Sequence, residues 1–267
     1  MAAGFRAAET HFASPVTDSL TPDSAPDAPS ATPEKPPSRW EDFIDIFYAP
    51  ASVFARRATS GFGLPMLVVS VLVGLIVLAD MGVLSPIMDA EFARGAAAAL
   101  KKNPQLTAEN MTQMRAFGEK FAPIAAFIVT PVAIFFIGIM VWLVGKFFDA
   151  KESFGAALMV ASYAYFPRIL GAFAGGVIGF LADPATLNGT YRASVGVGYF
   201  LDPDATSPVL VALLGRLDVF TIWVTVLLAI GLSVTGRIPR SKAAIAGVII
   251  WVLGALFPVL GALRNQA

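Results

Sequence analysis

Long apolar segments separated by short polar ones fill most of the chain after residue 60. Five of these segments are close to or longer than the roughly 20 residues that an α-helix needs to cross the hydrocarbon core of a bilayer. They cover about residues 62–80, 122–145, 154–182, 217–235 and 243–263. The pattern predicts an all-α integral membrane protein whose membrane domain, residues 61–265, is a bundle of five transmembrane helices.

The third apolar segment is too long for one straight crossing and has a proline near its middle. Pro167 lacks a backbone N–H and its ring obstructs the preceding turn, so we expect the span 154–182 to be kinked there. Arg168 follows directly. An arginine near the centre of a span costs roughly 2.5–3.5 kcal/mol to insert on translocon scales, so its presence requires an explanation.

Two regions precede the first span. Residues 1–38 are rich in proline, serine and aspartate and cannot bury enough apolar surface to fold, which predicts a disordered cytoplasmic tail. Residues 39–60 are predicted to form an amphipathic helix in the membrane interface, and Pro50 suits the first turn of a further helix. The aromatic and aliphatic positions at helical spacing are Trp40, Phe43, Ile44 and Phe47, and the acidic residues Glu41, Asp42 and Asp45 fall on the other, polar faces.

A helical extracytoplasmic loop is predicted for residues 85–121. The loop divides at Asn103-Pro104 into two helical patterns, and Thr107 suits the N-cap of the second. An apolar stripe on the second pattern is expected to pack against the bundle, with ligand binding as the less favoured alternative. This stripe consists of Met111, Met114, Phe117 and Phe121.

Composition narrows the chemistry that the chain can perform. Only 14% of the 267 residues are charged and the formal net charge is zero, so nucleic acid is not an expected partner. The chain has no cysteine, and its one histidine, His11, lies in the predicted tail. Ser153 and Ser162 therefore lack a histidine base, and no paired acids occur within a span. We expect no catalytic residue, no cofactor and no metal ion.

Lysine and arginine are distributed unequally between the two sets of short loops. The loops after the second and fourth spans are basic, whereas the opposite side offers only Arg192 and Arg216 between residues 183 and 216. Because cytoplasmic loops carry the excess of positive charge, the N-terminus is predicted to be cytoplasmic and the C-terminus to lie outside. The basic loop residues are Lys146, Lys151, Arg237, Arg240 and Lys242.

Several segments occur in an order typical of one family. They are "FIDIFYAPASVFARR" before the first span, "VGKFFDAKESFGAALMVASYAYFPRILGAF" at the junction of the second and third spans, and "LDVFTIWVTVLLAIGLSV" followed by "SKAAIAGVIIW" in the last two. Over about residues 40–263 the chain resembles the Yip domain family (Yip-one, the Ypt/Rab-interacting membrane proteins) in its bacterial branch. The resemblance implies a five-helix bundle without established catalytic residues. Only "DIFYAP" stands where eukaryotic members have "DLYGP", which argues against a Rab-type partner.

Arg168 and Asp218 are the candidate intramembrane charges. In a functional interpretation, Arg168 faces the bundle interior as a binding or relay residue. In the structural interpretation, which we favour, its guanidinium bonds carbonyl groups freed at Pro167 or reaches an acid at a span end such as Asp218. No carboxylate lies near the middle of any predicted span; Asp80 and Asp218 lie at span ends.

A glycine repeat in the third span indicates close helix packing. Gly171, Gly175 and Gly179 recur every four residues, and Gly176 widens the groove. Small residues on one face let membrane helices approach each other. A phosphate-binding loop is not supported, because the segment lacks a strand–turn–helix context and a P-loop lysine.

These features predict a non-enzymatic membrane protein of the Yip-domain type that organises protein partners or lipids. The alternative is a small-solute permease or an accessory subunit of a transporter. A polar path joining Arg168 to both aqueous faces would favour the alternative. The expected partners are membrane lipids and an unidentified protein, and a homo-oligomer is compatible with the sequence.

Overall fold

The computed structural model describes residues 38–266, so the tail predicted for residues 1–38 lies, except for its last residue, outside the described residues. The described part of the chain folds into ten α-helices and three short 3-10 turns. The helices are α1 (Asp42–Asp45), α2 (Pro50–Arg57), α3 (Gly63–Asp80), α4 (Ser85–Lys102), α5 (Ala108–Phe147), α6 (Phe154–Ala164), α7 (Pro167–Leu181), α8 (Pro208–Leu214), α9 (Val219–Gly236) and α10 (Arg240–Gln266).

Five helical segments are long and apolar enough to cross a membrane, which confirms the predicted all-α fold. They are α3, α5, the consecutive pair α6 and α7, α9 and α10. Only 28–33% of the most apolar window of each is buried inside the protein. Most of their apolar surface therefore faces outward, as lipid surroundings require; a helix on the surface of a soluble protein would present a polar face there.

Helix α5 is longer than any membrane span needs. Its 40 residues correspond to about 60 Å, twice the thickness of the hydrocarbon core. Thr107 caps it: the Thr107 hydroxyl accepts the backbone N–H of Asn110, and the Asn110 side chain accepts that of Thr107. The predicted span 122–145 is thus one part of a longer helix, and the predicted loop 85–121 contains α4 and the first turns of α5.

The methionine and phenylalanine stripe at the start of α5 does not pack against the bundle, and that prediction was wrong. Met114 and Phe117 are 52% and 64% exposed, and Phe121 is also exposed. The physical reason is the length of α5, whose first turns extend past the ends of the shorter spans. There α5 is joined to α4 by an ion pair between Arg115 and Asp89 at 2.7 Å.

The third span is divided, rather than bent, at its proline. Tyr165 and Phe166 form a tight turn in which the N–H of Arg168 donates to the C=O of Tyr165 at 2.9 Å, a bond between residues three apart. Pro167 is the first residue of α7, where a missing N–H leaves no helical bond unmade. The proline therefore begins a second helix within the span.

The single amphipathic helix predicted for residues 39–60 is replaced by two short helices, α1 and α2. Pro50 disfavours helical geometry at the preceding residue, and Ala49 has φ −129° and ψ 47°. The exposed and buried faces also differ from the prediction. Trp40 and Ile44 are 66% and 64% exposed, whereas the acidic Asp42 is fully buried. The spacing of apolar residues indicated the wrong buried face, because Asp42 is buried by its ion pairs and not by apolar packing.

The bent pair α1–α2 lies alongside the spans. Phe43 stacks on Phe166 with ring centroids 5.0 Å apart, and Phe47 meets Trp223 of α9 edge to face at 5.6 Å. Phe54 of α2 is fully buried. These aromatic contacts attach the segment before the first span to α9 and to the turn between α6 and α7.

Helix α6 forms the centre of the bundle, since every residue from Ala156 to Ala164 is buried. Its neighbours α5 and α9 approach it at glycines. The side chain of Leu158 occupies the position where a Cβ on Gly138 would lie, and that of Val160 does the same at Gly231. Small residues at these crossings allow the helices to pack closely.

The two ends of the bundle differ in character. At one end the N–H of Lys151 donates to the C=O of Gly236 at 2.9 Å, which joins the loops after α5 and α9. We refer to it as the basic end, because it carries the lysine and arginine residues of those loops. The other end, formed by α4 and residues 182–218, is referred to as the loop end.

Candidate functional site

A cavity of about 1130 Å³ lies between α3, α5, α7, α9 and α10. Its wall is mostly apolar, but five charged residues contribute to it: Asp80, Glu91, Arg168, Arg216 and Asp218. No residue of α6 lines the cavity, because α6 fills the centre of the bundle on the side of the basic end. Charged side chains around an apolar cavity within a bundle mark the candidate site.

The structure brings Arg168 and Asp218 together, although loosely. The Arg168 guanidinium donates to the hydroxyl of Thr221 at 3.4 Å and lies 3.6 Å from the Asp218 carboxylate. The same Asp218 oxygen caps α9 by accepting the backbone N–H groups of Phe220 and Thr221 at 3.0 and 3.1 Å. It also accepts the hydroxyl of Thr221 at 3.4 Å. Because that oxygen already accepts three hydrogen bonds, its contact with Arg168 is long. The Arg168 side chain remains 41% exposed.

Asp218 is held in place by a glycine that sequence reasoning did not identify. Gly196 and Asp218 form an isolated β-bridge, and the N–H of Val197 donates to the C=O of Leu217 at 3.0 Å. A Cβ on Gly196 would lie 2.7 Å from the Cα of Asp218. A backbone approach this close excludes any side chain at residue 196.

Arg216 is a second guanidinium at the cavity, and the sequence had indicated it only as a loop charge. It donates to the C=O of Trp251 at 3.3 Å and lies 5.7 Å from the centre of the Trp251 ring. Its Nε is buried without a hydrogen-bond partner. Burial lowers the pKa of Arg216, and the like charge of Arg168 acts in the same direction. Among residues 38–266, no carboxylate forms an ion pair with it.

The predicted glycine face contacts three different parts of the molecule. Gly171 lies against the ring of Phe220, and Gly179 against Leu84 just after the first span. Gly175 lies against the backbone of the loop end, where a Cβ would be 3.0 Å from the carbonyl oxygen of Ala193. Gly176, beside the repeat, lies against the carboxylate of Asp80.

Helix α4 closes the cavity at the loop end through a second polar cluster. Glu91 accepts the backbone N–H and the hydroxyl of Thr190 at 2.9 and 2.8 Å, and Arg94 lies 3.1 Å from it. Burial acts to raise the pKa of Glu91, but the hydrogen bonds from Thr190 and Arg94 outweigh it, so the pKa is lowered. Arg94 also pairs with Asp204 at 2.9 Å. Glu91 is therefore a bonded structural carboxylate.

An ion cluster outside the cavity links α1 to α2. The fully buried carboxylate of Asp42 lies 2.6 Å from Arg56 and 2.5 Å from Arg57. Arg56 also pairs with Asp45 at 2.6 Å. A hydrogen bond from the Tyr48 hydroxyl, together with Arg56, lowers the pKa of Asp45. The cluster stabilises the bend before the first span.

Glu152 is a buried carboxyl at the basic end, 3% exposed. Its two side-chain oxygens have no hydrogen-bond partner among the described residues. They lie where Cβ atoms on Gly145 and Gly236 would otherwise be. Lys146 bonds the backbone carbonyl of Glu152 at 3.0 Å, not its carboxylate. Burial raises the pKa of Glu152, because the charged form loses its hydration there.

This raised pKa predicts a pH-dependent effect of Glu152→Gln. The folded pKa lies above the unfolded one, so ionisation opposes folding, and stability falls as pH rises from the ordinary value of about 4.5 through the raised one. The variant should be more stable than wild type at pH 8, with no such advantage at pH 4. Thermal unfolding in detergent at both pH values measures this. Exposed Glu109→Gln is the control, and an equal difference at both pH values would contradict the prediction.

The two serines without a histidine base, Ser153 and Ser162, hold structural positions. Ser153 caps α6 by accepting the N–H of Ala156 at 3.2 Å. Ser162 is buried and donates to the C=O of Leu158 at 2.7 Å. In the part of the chain that the structure describes, no cluster of histidine or acidic residues could hold a metal ion.

Fold and site together define a five-span helical membrane protein with a partly polar internal cavity. Residues 44–261 match the Yip1 domain, and the chain belongs to the Yip1 domain family. It is similar to the membrane protein YknW of Bacillus subtilis (strain 168), with 27% identity over 162 residues, 60% of this chain and 67% of that protein. No solved structure matches the chain.

Proposed function

We propose that this chain is a non-enzymatic protein of the bacterial cytoplasmic membrane that organises lipids or protein partners. The observation that supports this most is the form of the cavity. Its wall reaches Glu91 and Thr190 at the loop end but only Met140 and Leu228 toward the basic end. Met140 is seven residues, about 10 Å, from the end of α5, and buried α6 fills the centre. A one-ended cavity suits binding.

The alternative, a small-solute permease or an accessory subunit of a transporter, would need access from both aqueous faces or a paired rearrangement of broken helices. Among the five candidate spans, only the third is broken into two helices. The cavity wall includes none of the lysine or arginine residues of the basic end. These features favour an organising function over conduction.

Osmotic swelling of proteoliposomes tests the choice between these functions. We expect vesicles that contain the full chain to swell no faster than protein-free vesicles in sugars, amino acids and small anions. Arg168→Met, which keeps a long apolar side chain, should be expressed and inserted with the same five spans. Fast swelling that Arg168→Met abolishes, at equal protein content, would establish the permease and remove the organising function.

The orientation is part of the same proposal: the N-terminus and the basic end face the cytoplasm. Because the chain has no cysteine, single cysteines can report it. Ser241→Cys lies at the basic end and Ala185→Cys at the loop end, and both positions are exposed. In intact cells a membrane-impermeant maleimide should label residue 185, and residue 241 only after permeabilisation. Equal labelling of both in intact cells would refute this orientation.

A further inference from the structure

The cavity presents two neighbouring cations whose charges are incompletely balanced. Arg168 has its 3.6 Å contact with Asp218, and Arg216 has no ion pair with any residue between 38 and 266. Both arginines line the same cavity, and Arg216 stands two residues before Asp218, the acid that Arg168 approaches to 3.6 Å. Placing two arginines on one cavity without a dedicated acid for each is costly, unless an anionic group from outside the chain joins them.

The carboxylates that line the cavity do not supply an anion that joins Arg168 and Arg216. Asp218 caps α9, and Glu91 is bonded to Thr190 and Arg94. Asp80 lies against Gly176, which is eight residues, or about 12 Å along α7, from Arg168. The space next to Arg168 and Arg216 therefore lacks a matching anion.

The rest of the cavity is suited to an apolar chain. Helix α5 contributes Val129, Ala133, Phe136 and Met140, which recur at intervals of four, three and four residues on one face. Val129 is 62% exposed, and Phe257 on α10, which also lines the cavity, is 67% exposed. Exposure of this size indicates that the wall is open toward the surrounding membrane at this level. An amphiphile could enter from the side.

We propose that this cavity binds an anionic amphiphile from the membrane, with a phosphate group between Arg168 and Arg216 and an apolar chain along α5. The inference rests on the proposed function, whose lipid it specifies by class. Guanidinium groups are well matched to phosphate because they donate several hydrogen bonds in one plane. Arg216 spends one terminal N–H group on the C=O of Trp251, and the contacts of Arg168 are long, so both guanidinium groups have further donors to offer.

Native mass spectrometry of the full chain tests this with two lipids that share their acyl chains. In a neutral detergent, wild type should bind phosphatidylglycerol more tightly than phosphatidylcholine. Arg216→Gln and Arg168→Gln should each weaken phosphatidylglycerol binding about tenfold or more, as the loss of a charge-assisted hydrogen bond implies. Arg216→Lys should recover part of the affinity. Arg240→Gln, an exposed arginine at the basic end, should bind like wild type.

A further measurement distinguishes binding of a lipid headgroup from binding of a free anion. Inorganic phosphate should neither displace phosphatidylglycerol nor raise the melting temperature of the lipid-free protein. If it does both, and Arg216→Gln abolishes these effects, the site takes a free anion and the amphiphile is excluded. Equal binding of the two lipids, or unchanged binding in both glutamine variants, would overturn the anion site.

Further measurements distinguish failure of this inference from misfolding and from failure of the proposed function. Ala133→Phe keeps both arginines but narrows the apolar part, so it should weaken lipid binding if the chain lies along α5 and leave it unchanged if the inference is wrong. Melting temperatures without lipid identify misfolded variants. Failure to bind lipid without vesicle swelling would leave the organising function in place, whereas swelling would remove that function whatever lipid is bound.

Discussion

Replacing Asp42 by alanine should lower the free energy of unfolding by about 3 kcal/mol. Asp42 is fully buried and pairs with Arg56 and Arg57, whose side chains are 28% and 17% exposed. Removing the carboxylate takes away the acid that both arginines share, although Arg56 keeps its pair with Asp45. We expect a loss at the lower end of the range for breaking a buried ion pair, because both arginine side chains keep some access to solvent. Thermal or denaturant unfolding of the full chain in detergent measures the change.

Two variants identify the cause of this loss. Asp42→Asn preserves the shape of the side chain and removes its charge, so it should lie between wild type and Asp42→Ala. Asp45→Ala removes an acid that pairs with Arg56 only and is 19% exposed, so it should destabilise less than Asp42→Ala. If both alanine variants behave alike, burial of Asp42 contributes nothing, and the account of the bend before the first span fails.

The sequence predicted the spans because hydrocarbon imposes a simple rule on length and polarity. A run of about 20 apolar residues is readable without tertiary information, and all five candidate spans were predicted in that way. The bounds of α5 were not readable in the same way. Its polar first turns begin at the cap formed by Thr107 and Asn110, and neither hydropathy nor length indicates how far a helix continues beyond the membrane.

The site was only partly readable, because its parts lie far apart in the sequence. Arg168 drew attention as a charge within an apolar run, and Asp218 as an acid at a span end. Arg216 did not draw attention, because the sequence shows it only as one of several loop arginines. Its position beside Trp251 is visible only in the structure. Asp42 was assigned to a polar face, because a spacing rule cannot recognise a carboxylate buried by two arginines fourteen and fifteen residues away.

Gly175→Leu should lower the free energy of unfolding by about 1–3 kcal/mol, the usual cost of overpacking. Gly175 is buried, and a Cβ there would lie 3.0 Å from the carbonyl oxygen of Ala193. That oxygen belongs to the backbone of a 3-10 turn, Thr190–Ala193, so it cannot rotate away as a side chain would. A leucine must therefore displace the turn, which also forms part of the cavity wall.

The matched control for Gly175→Leu is Val177→Leu, on the outward face of the same helix, where the side chain is 41% exposed. It adds a methylene group without approaching any backbone, so the unfolding midpoint in detergent should stay near that of wild type. Gly175→Ala should fall between the two, because it introduces the short contact but not the rest of the leucine side chain. If all three variants have the unfolding midpoint of wild type, the turn at residue 193 does not pack against α7. The glycine repeat would then face lipid, and its predicted packing function would be lost.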